Sequence, residues 1–234
     1  MSKADSAEQS ISIPRPDGQS APGVAFAAAD PNAPAIVLIQ EWWGINEQIR
    51  GVARRLRDAG YNVLIPDLYR GKIATARDEA QHLMGDLDFP DALFQDLAGA
   101  VHFTREHHGK VAVLGFCMGG ALALAAAVHL PELTASVCFY GIPPEQLADP
   151  TKLQVPLLAH FAEHDDWCTP ERVHALEAQL RHVKVDYELH RYNAQHAFFN
   201  EARPEVFDPE AATTAWRRTL AFLGHQLGVH HHAD

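Results

Sequence analysis

The 234-residue sequence predicts an α/β fold, with a mostly parallel central sheet and helices on both of its faces. Two observations carry that reading. Short apolar runs alternate with amphipathic segments along the whole chain, as strand–helix–strand units require. Five of the runs are apolar at successive positions, the pattern of strands covered on both sides rather than half exposed.

In chain order, SISIP (10–14) and GVAFAAA (23–29) are expected to form an antiparallel edge. The five doubly apolar strands are AIVLI (35–39), NVLIP (62–66), VAVLG (111–115), ASVCFYG (135–141) and PLLAHF (156–161). VDYELH (185–190) is a sixth, more polar strand. Helices are expected near 47–59, 90–107, 119–129, 170–182 and 209–227. Pro170 and Pro209 suit first helical turns, where the missing N–H has no partner to lose, and Thr169 and Asp208 before them suit N-caps. In the last helix Ala212, Trp216, Leu220, Leu223 and Leu227 fall on one stripe.

Length and the absence of repeats or low-complexity linkers give a single domain over 11–228, with tails at 1–10 and 229–234. The tail histidines at 230–232 carry no functional reading. A net charge of −11 argues against nucleic acid as a partner, since phosphate neutralisation needs clustered Lys and Arg. No apolar stretch approaches membrane-spanning length, and the first ten residues lack an apolar signal core. The three cysteines show no pairing pattern, so a reducing cytoplasm is expected. The expected partner is a small molecule, with no membrane, and the chain is expected to be a monomer or weak homo-oligomer.

Ligands of such sheets bind beyond the carboxyl ends of the strands, so chemistry is sought just after each apolar run. There, Gly115-Phe116-Cys117-Met118-Gly119-Gly120 has the spacing of a nucleophile elbow with cysteine at its centre. Glycines two residues before and after the nucleophile relieve backbone crowding at a sharp turn. The helix N-terminus that follows favours a thiolate, and the Met118 N–H can face a developing oxyanion. A buried structural cysteine is the bland alternative.

An elbow needs a base and an orienting acid, which in this fold follow the nucleophile in the order acid, histidine. The loop after PLLAHF offers Asp165, preferred by register over Asp166, with Glu163 weaker; the segment after VDYELH offers His196. Glu41 directly follows the first doubly apolar strand, between that strand and Trp42-Trp43. A carboxylate walled by indoles is costly without a partner. The Trp42 N–H is placed to be a second oxyanion donor. Trp43 and Phe198, with Trp42 and Phe199, suit an apolar substrate ring, and Tyr140 and Asn200 are assigned to the same substrate site.

Taken together, IQEWWG, YNVLIPDLYRG, GFCMGG, HDDWCTP and NAQHAFFNEARP resemble the dienelactone hydrolase family of α/β-hydrolases, over about residues 11–225. The resemblance implies cleavage of the lactone ester of a dienelactone (carboxymethylenebutenolidase activity) with no cofactor. It implies Cys117 as nucleophile, His196 as base, Asp165 as acid, and Glu41 as the glutamate that holds the resting thiol. It also implies two arginines gripping a substrate carboxylate. Arg77 corresponds to one; the other position, four residues after the histidine, is Asn200, and Arg203 is near but out of register. That departure opens the alternative of a broad carboxylesterase or lactonase without the clamp. A redox sensor or ligand-binding protein on the same fold is the rival from another class. His160, His164 and Asp165 lack a second ligand pair on a neighbouring segment, so no metal is expected. Cys138 reads as a core residue, and Cys168, close to the acid, as a pocket-wall or packing residue.

Overall fold

Uninterrupted apolar runs become interior strands. In a computed structural model that describes residues 8–231, β3 (Ala35–Ile39), β4 (Asn62–Pro66), β5 (Val111–Phe116) and β6 (Ala135–Phe139) are buried at every position. With β1 (Glu8–Pro14), β2 (Ser20–Phe26), β7 (Leu157–His164) and β8 (Tyr187–Gln195) they form one sheet in the order β1-β2-β4-β3-β5-β6-β7-β8. The β1–β2 and β2–β4 pairs are antiparallel and all others parallel. The chain steps from β3 outward to β4 and then back across to β5, so β3 and β5 flank the point where the winding reverses. Open α/β sheets leave a crevice there, beyond the carboxyl ends of the strands.

The helices are α1 (Glu47–Asp58), α2 (Arg77–Asp86), α3 (Phe89–Asp91), α4 (Ala98–His108), α5 (Met118–His129), α6 (Pro170–Leu180) and α7 (Pro209–Leu227). Thr169 and Asp208 cap α6 and α7 by accepting from the N–H groups of Arg172 and Ala211, as their sequence positions predict. Helix α5 is buried from Met118 to Val128. Its small side chains let the helix backbone lie close against the sheet, which fixes its N-terminus relative to the ends of β3 and β6.

Several expectations shift. Strand β8 runs to Gln195, well past residue 190, because an edge strand alternates exposed and buried residues and needs no apolar run. Helix α2 was not foreseen: only Ala80 of it is buried, and no side chain caps its start. The helix expected at 90–107 contains a π-helical turn, Ala92–Leu97, between α3 and α4. That turn carries Asp96 inward to pair with Arg15 and Arg70, tying the first hairpin to the helical layer. On α7, Trp216 and Leu220 are only half buried; the buried face is centred on Ala215, Thr219 and Phe222, because Thr219 bonds His160 of β7. Residues 8–10, assigned to the tail, pair with β2; residues 1–7 and 232–234 lie outside the described residues. Near the other end, Val229 donates to the Gly224 carbonyl, and His231 hydrogen-bonds the Tyr61 hydroxyl. Among the described residues no helix is long and apolar enough to cross a membrane.

Candidate active site

Cys117 occupies the single residue between β5 and α5, with φ 60° and ψ −119°. A non-glycine residue there is strained by about 1–3 kcal/mol, and the surroundings hold it. The Cys117 N–H donates to the Phe139 carbonyl at 3.0 Å, and its own carbonyl accepts from Ala121 at 3.0 Å. The flanking glycines are required by contact. A Cβ on Gly115 would overlap the Gly119 carbonyl, and one on Gly119 would lie 2.5 Å from the Gln40 carbonyl oxygen and 2.6 Å from that of Ile39. The turn therefore works only where α5 touches the end of β3.

The Cys117 Sγ lies 3.2 Å from His196 Nε2, and His196 Nδ1 lies 2.6 Å from Asp165 Oδ2. Asp165 is buried, and its other oxygen accepts from the N–H groups of Trp167 at 2.7 Å and Cys168 at 3.0 Å. Three donors thus hold the carboxylate in one orientation. Asp166 and Glu163 point outward and do not reach the imidazole; Asp166 only edges the pocket. His196 follows the last residue of β8, so strand register sets its position. Burial acts to lower its pKa, but the hydrogen bonds to Asp165 and Cys117 outweigh that and raise it to about 10. At neutral pH the imidazole therefore carries a proton toward Sγ.

Glu41 is buried at the turn after β3. Its Oε2 accepts from Asn200 Nδ2 at 2.8 Å, while Sγ faces the imidazole. The carboxylate assigned by resemblance to the resting thiol is thus engaged by Asn200. Burial pushes its pKa up, opposed by the charge of His196, the Asn200 hydrogen bond and Arg203. Gln40 fixes this turn, a role not anticipated from sequence: fully buried, it donates to the Glu41 carbonyl at 3.2 Å and accepts from Leu68 N–H at 3.1 Å. A buried polar residue at the last position of an apolar run was its only signal.

These groups open on a cavity of about 170 Å³, lined among others by Glu41, Trp42, Trp43, Arg77, Cys117 and His196. Arg203 lines it as well, its guanidinium 5.5 Å from the Trp43 ring centroid and its Nε 2.9 Å from Glu205. Trp167 forms a side wall edge-on to His196, at 5.3 Å between ring centroids; its place between the acid and the Thr169 cap was the signal missed. Three residues assigned to the substrate site lie elsewhere. Tyr140 is fully buried behind His196, 5.0 Å between ring centroids, and its hydroxyl has no hydrogen-bond partner of normal geometry. Phe198 is fully buried between Tyr140 and Tyr192. Both follow strand ends, yet their side chains pack into the core. Asn200 touches Glu41 rather than the cavity.

The other two cysteines and the two histidines of β7 are held by their neighbours. The Cys138 thiol donates to the Gly141 carbonyl, and burial pushes its pKa up to about 12. The Cys168 thiol, driven up by burial, donates to the Tyr140 carbonyl. His160 is bonded to Tyr192 and Thr219, and His164 to Asn193. They do not converge, and among the described residues no group of three or more His, Cys, Asp or Glu is placed to hold a metal ion.

The geometry has close counterparts. The model of the dienelactone hydrolase family matches residues 22–227. The protein Usf of Aquifex pyrophilus is 35% identical over 208 residues, covering 83% of this chain and 89% of its own. Carboxymethylenebutenolidase 1 of Cupriavidus pinatubonensis is 32% identical over 206 residues, covering 82% and 86%. A dienelactone hydrolase-like promiscuous phosphotriesterase from metagenomic libraries superposes with a TM-score of 0.79 at 25% identity, covering 95% of this chain and 100% of its own.

Proposed function

This chain belongs to the dienelactone hydrolase family of α/β-hydrolases, and on that premise we propose that it hydrolyses a lactone or related carboxylic ester through a thioester on Cys117. The observation that supports this most directly is His196 bridging Cys117 Sγ and Asp165, at 3.2 and 2.6 Å.

Sγ attacks the carbonyl carbon as the thiolate, with the proton held on His196 Nε2. The carbonyl π electrons move to oxygen, where the N–H groups of Trp42 and Met118 receive the charge. Collapse forms the thioester and expels the alkoxide or enolate, which takes the proton from His196 Nε2. The neutral imidazole then removes a proton from water as the water attacks the thioester, and the second collapse expels Sγ. Asp165 holds Nδ1–H throughout and stabilises each imidazolium stage. In a lactone the leaving enolate stays tethered, so one product leaves.

Arg77 and Arg203 on the cavity wall favour a substrate with its own carboxylate, as in a dienelactone, because guanidinium groups bind planar anions in two-point fashion. The alternative, a carboxylesterase or lactonase with no such grip, draws on Asn200 standing where the family resemblance calls for arginine. Mass spectrometry of protein quenched during turnover of dienelactone or p-nitrophenyl acetate tests the chemistry. An acyl adduct on Cys117, and loss of turnover in Cys117→Ala, are expected. Undiminished turnover in Cys117→Ala, or sulfenic acid as the sole modification, overturns the reading.

A further inference from the structure

Beside the reaction cavity lies a second one of about 480 Å³, within the range of pockets that hold whole small molecules. Its floor is Met118 and Ala121, in the first turn of the nucleophile's own helix. One wall, Met84, Leu87 and Phe89, comes from the end of α2 and the start of α3. The facing wall, Ile142 and Leu147, comes from the loop after β6. Gln146 supplies the one uncharged polar side chain apart from the Trp167 indole, and no charged residue lines the cavity. Met84, Leu87, Phe89 and Ile142 are each only half buried, so apolar surface stands open to water in a concave site. The Met118 side chain is fixed from behind, its sulfur accepting from the Tyr69 hydroxyl at 3.4 Å.

Met84 and Trp167 line both cavities, so the two adjoin through a shared wall beside Cys117 and His196. Their chemistry is opposite: Glu41, Arg77, Asp166 and Arg203 edge the first, and hydrocarbon side chains make the second. We propose that the second cavity binds a hydrocarbon arm, alkyl or aryl, of the same ester substrate whose carbonyl sits at Cys117. This deepens the hydrolytic reading above and rests on it. A substrate using both cavities is amphipathic: a polar or anionic end near Arg77 and Arg203, an ester at Sγ, and an apolar arm over Met118. The 480 Å³ space accommodates far more than the small ring of a simple dienelactone. Burial of the arm would draw on the apolar surface left open in the free protein.

Two substrate series test this and separate the sources of the arm. Chain length is varied from acetate to hexanoate in p-nitrophenyl esters for the acyl side. It is varied from methyl to hexyl in alkyl acetates for the alcohol side. In one series kcat/KM is expected to rise about 4-fold per added methylene, the worth of burying each CH₂. Ile142→Trp, which fills the cavity, should abolish that rise while leaving p-nitrophenyl acetate or methyl acetate within about 2-fold of wild type. Leu87→Asn, at a half-buried wall position, should blunt it in the same direction and guards against a folding defect of the first variant. Calorimetric binding of 1-naphthol reads the cavity without any chemistry, and both variants should weaken it about tenfold. Flat length dependence in both series overturns the proposal even if acetate turnover is intact. So does equal loss on short and long substrates, or 1-naphthol binding unchanged by both substitutions. Undiminished acetate turnover in Cys117→Ala would instead overturn the thioester reading, and 1-naphthol would still report on the cavity.

Discussion

Asn200 Nδ2 donates to Glu41 Oε2 across 2.8 Å, joining the turn after β8 to the turn after β3. Both residues are buried, and the bond is side chain to side chain. A neutral donor here has a different consequence from an arginine. It satisfies one lone pair of the carboxylate without neutralising its charge, so desolvation still dominates and the Glu41 pKa stays raised. With Sγ already facing His196, the sulfur is engaged with the imidazole before any substrate arrives.

Replacing the charge tests that balance. A carboxyl with a raised folded-state pKa favours the folded state when protonated. Its penalty is absent below the unfolded value of 4.5, appears as pH rises past it, and is complete above the folded value. Glu41→Gln keeps the size and can still accept from Asn200. It is expected to match wild type in urea stability at acid pH and exceed it at neutral pH. A wild type more stable than Glu41→Gln at pH 7 would show that His196 and Arg203 outweigh desolvation.

The imidazole gives the opposite sign. Because the folded-state pKa of His196 rises from 6.5 to about 10, its protonated form stabilises the fold. That contribution is full below pH 6.5 and is lost as pH climbs through 10. The stability of wild type over His196→Gln should therefore shrink between pH 6.5 and 10, measured by urea unfolding at fixed ionic strength. NMR of labelled histidine should find a midpoint well above 6.5 in wild type and a lower one in Cys117→Ala, where one of the two hydrogen bonds that raise it is gone. A pH-independent difference, or a wild-type midpoint near 6.5, would contradict the assigned pairing.

Gly119 couples the elbow to the turn after β3. A Cβ there meets the carbonyls of Ile39 and Gln40, backbone that cannot swing aside as a side chain can. Gly119→Ala should push α5 off the end of β3, cost about 1–3 kcal/mol of stability, and lower kcat by misplacing Trp42 relative to Met118. Gly85→Ala is the control: nothing lies within 4 Å of its Cβ, so stability should hold or improve. Equal behaviour of the two alanines would dissociate the glycine requirement from the elbow.

The reach of the sequence follows from where each residue sits relative to its strand. Cys117, Asp165 and His196 were legible because each lies just beyond a strand, and the sheet delivers those ends to one edge. Tyr140 and Phe198 have the same position in sequence, but adjacency to a strand end does not say whether a side chain turns to the crevice or back into the core. Here Phe198 packs at a tilt against Tyr192, and Tyr140 backs His196. Helix α2 left little trace because a helix that buries only Ala80 needs no apolar stripe. The partnership of Glu41 with Asn200 depends on a contact 159 residues apart that no local pattern encodes.

Arg203 belongs to the same lesson and gives the sharpest test of specificity. By sequence it stands out of register with the histidine. The chain turns after β8, however, with Arg203 N–H donating to the Asn200 carbonyl at 3.1 Å, and so returns the guanidinium to the cavity wall that Arg77 also lines. Its pairing with Glu205 is no obstacle, because that carboxylate is largely exposed and solvent screens such a pair. A substrate carboxylate in the partly dry cavity competes readily for such an arginine. Arg203→Gln and Arg77→Gln should each raise KM for dienelactone more than they lower kcat, since both guanidinium groups hold a charge that does not change during reaction. Each should lower kcat/KM for dienelactone about 10- to 100-fold, the worth of a charge-assisted hydrogen bond of about 1.5–3 kcal/mol, and leave the methyl ester of dienelactone nearly unaffected. If free acid and methyl ester are turned over equally by wild type and by both variants, neither arginine reads a carboxylate, and the chain acts as an esterase indifferent to charge.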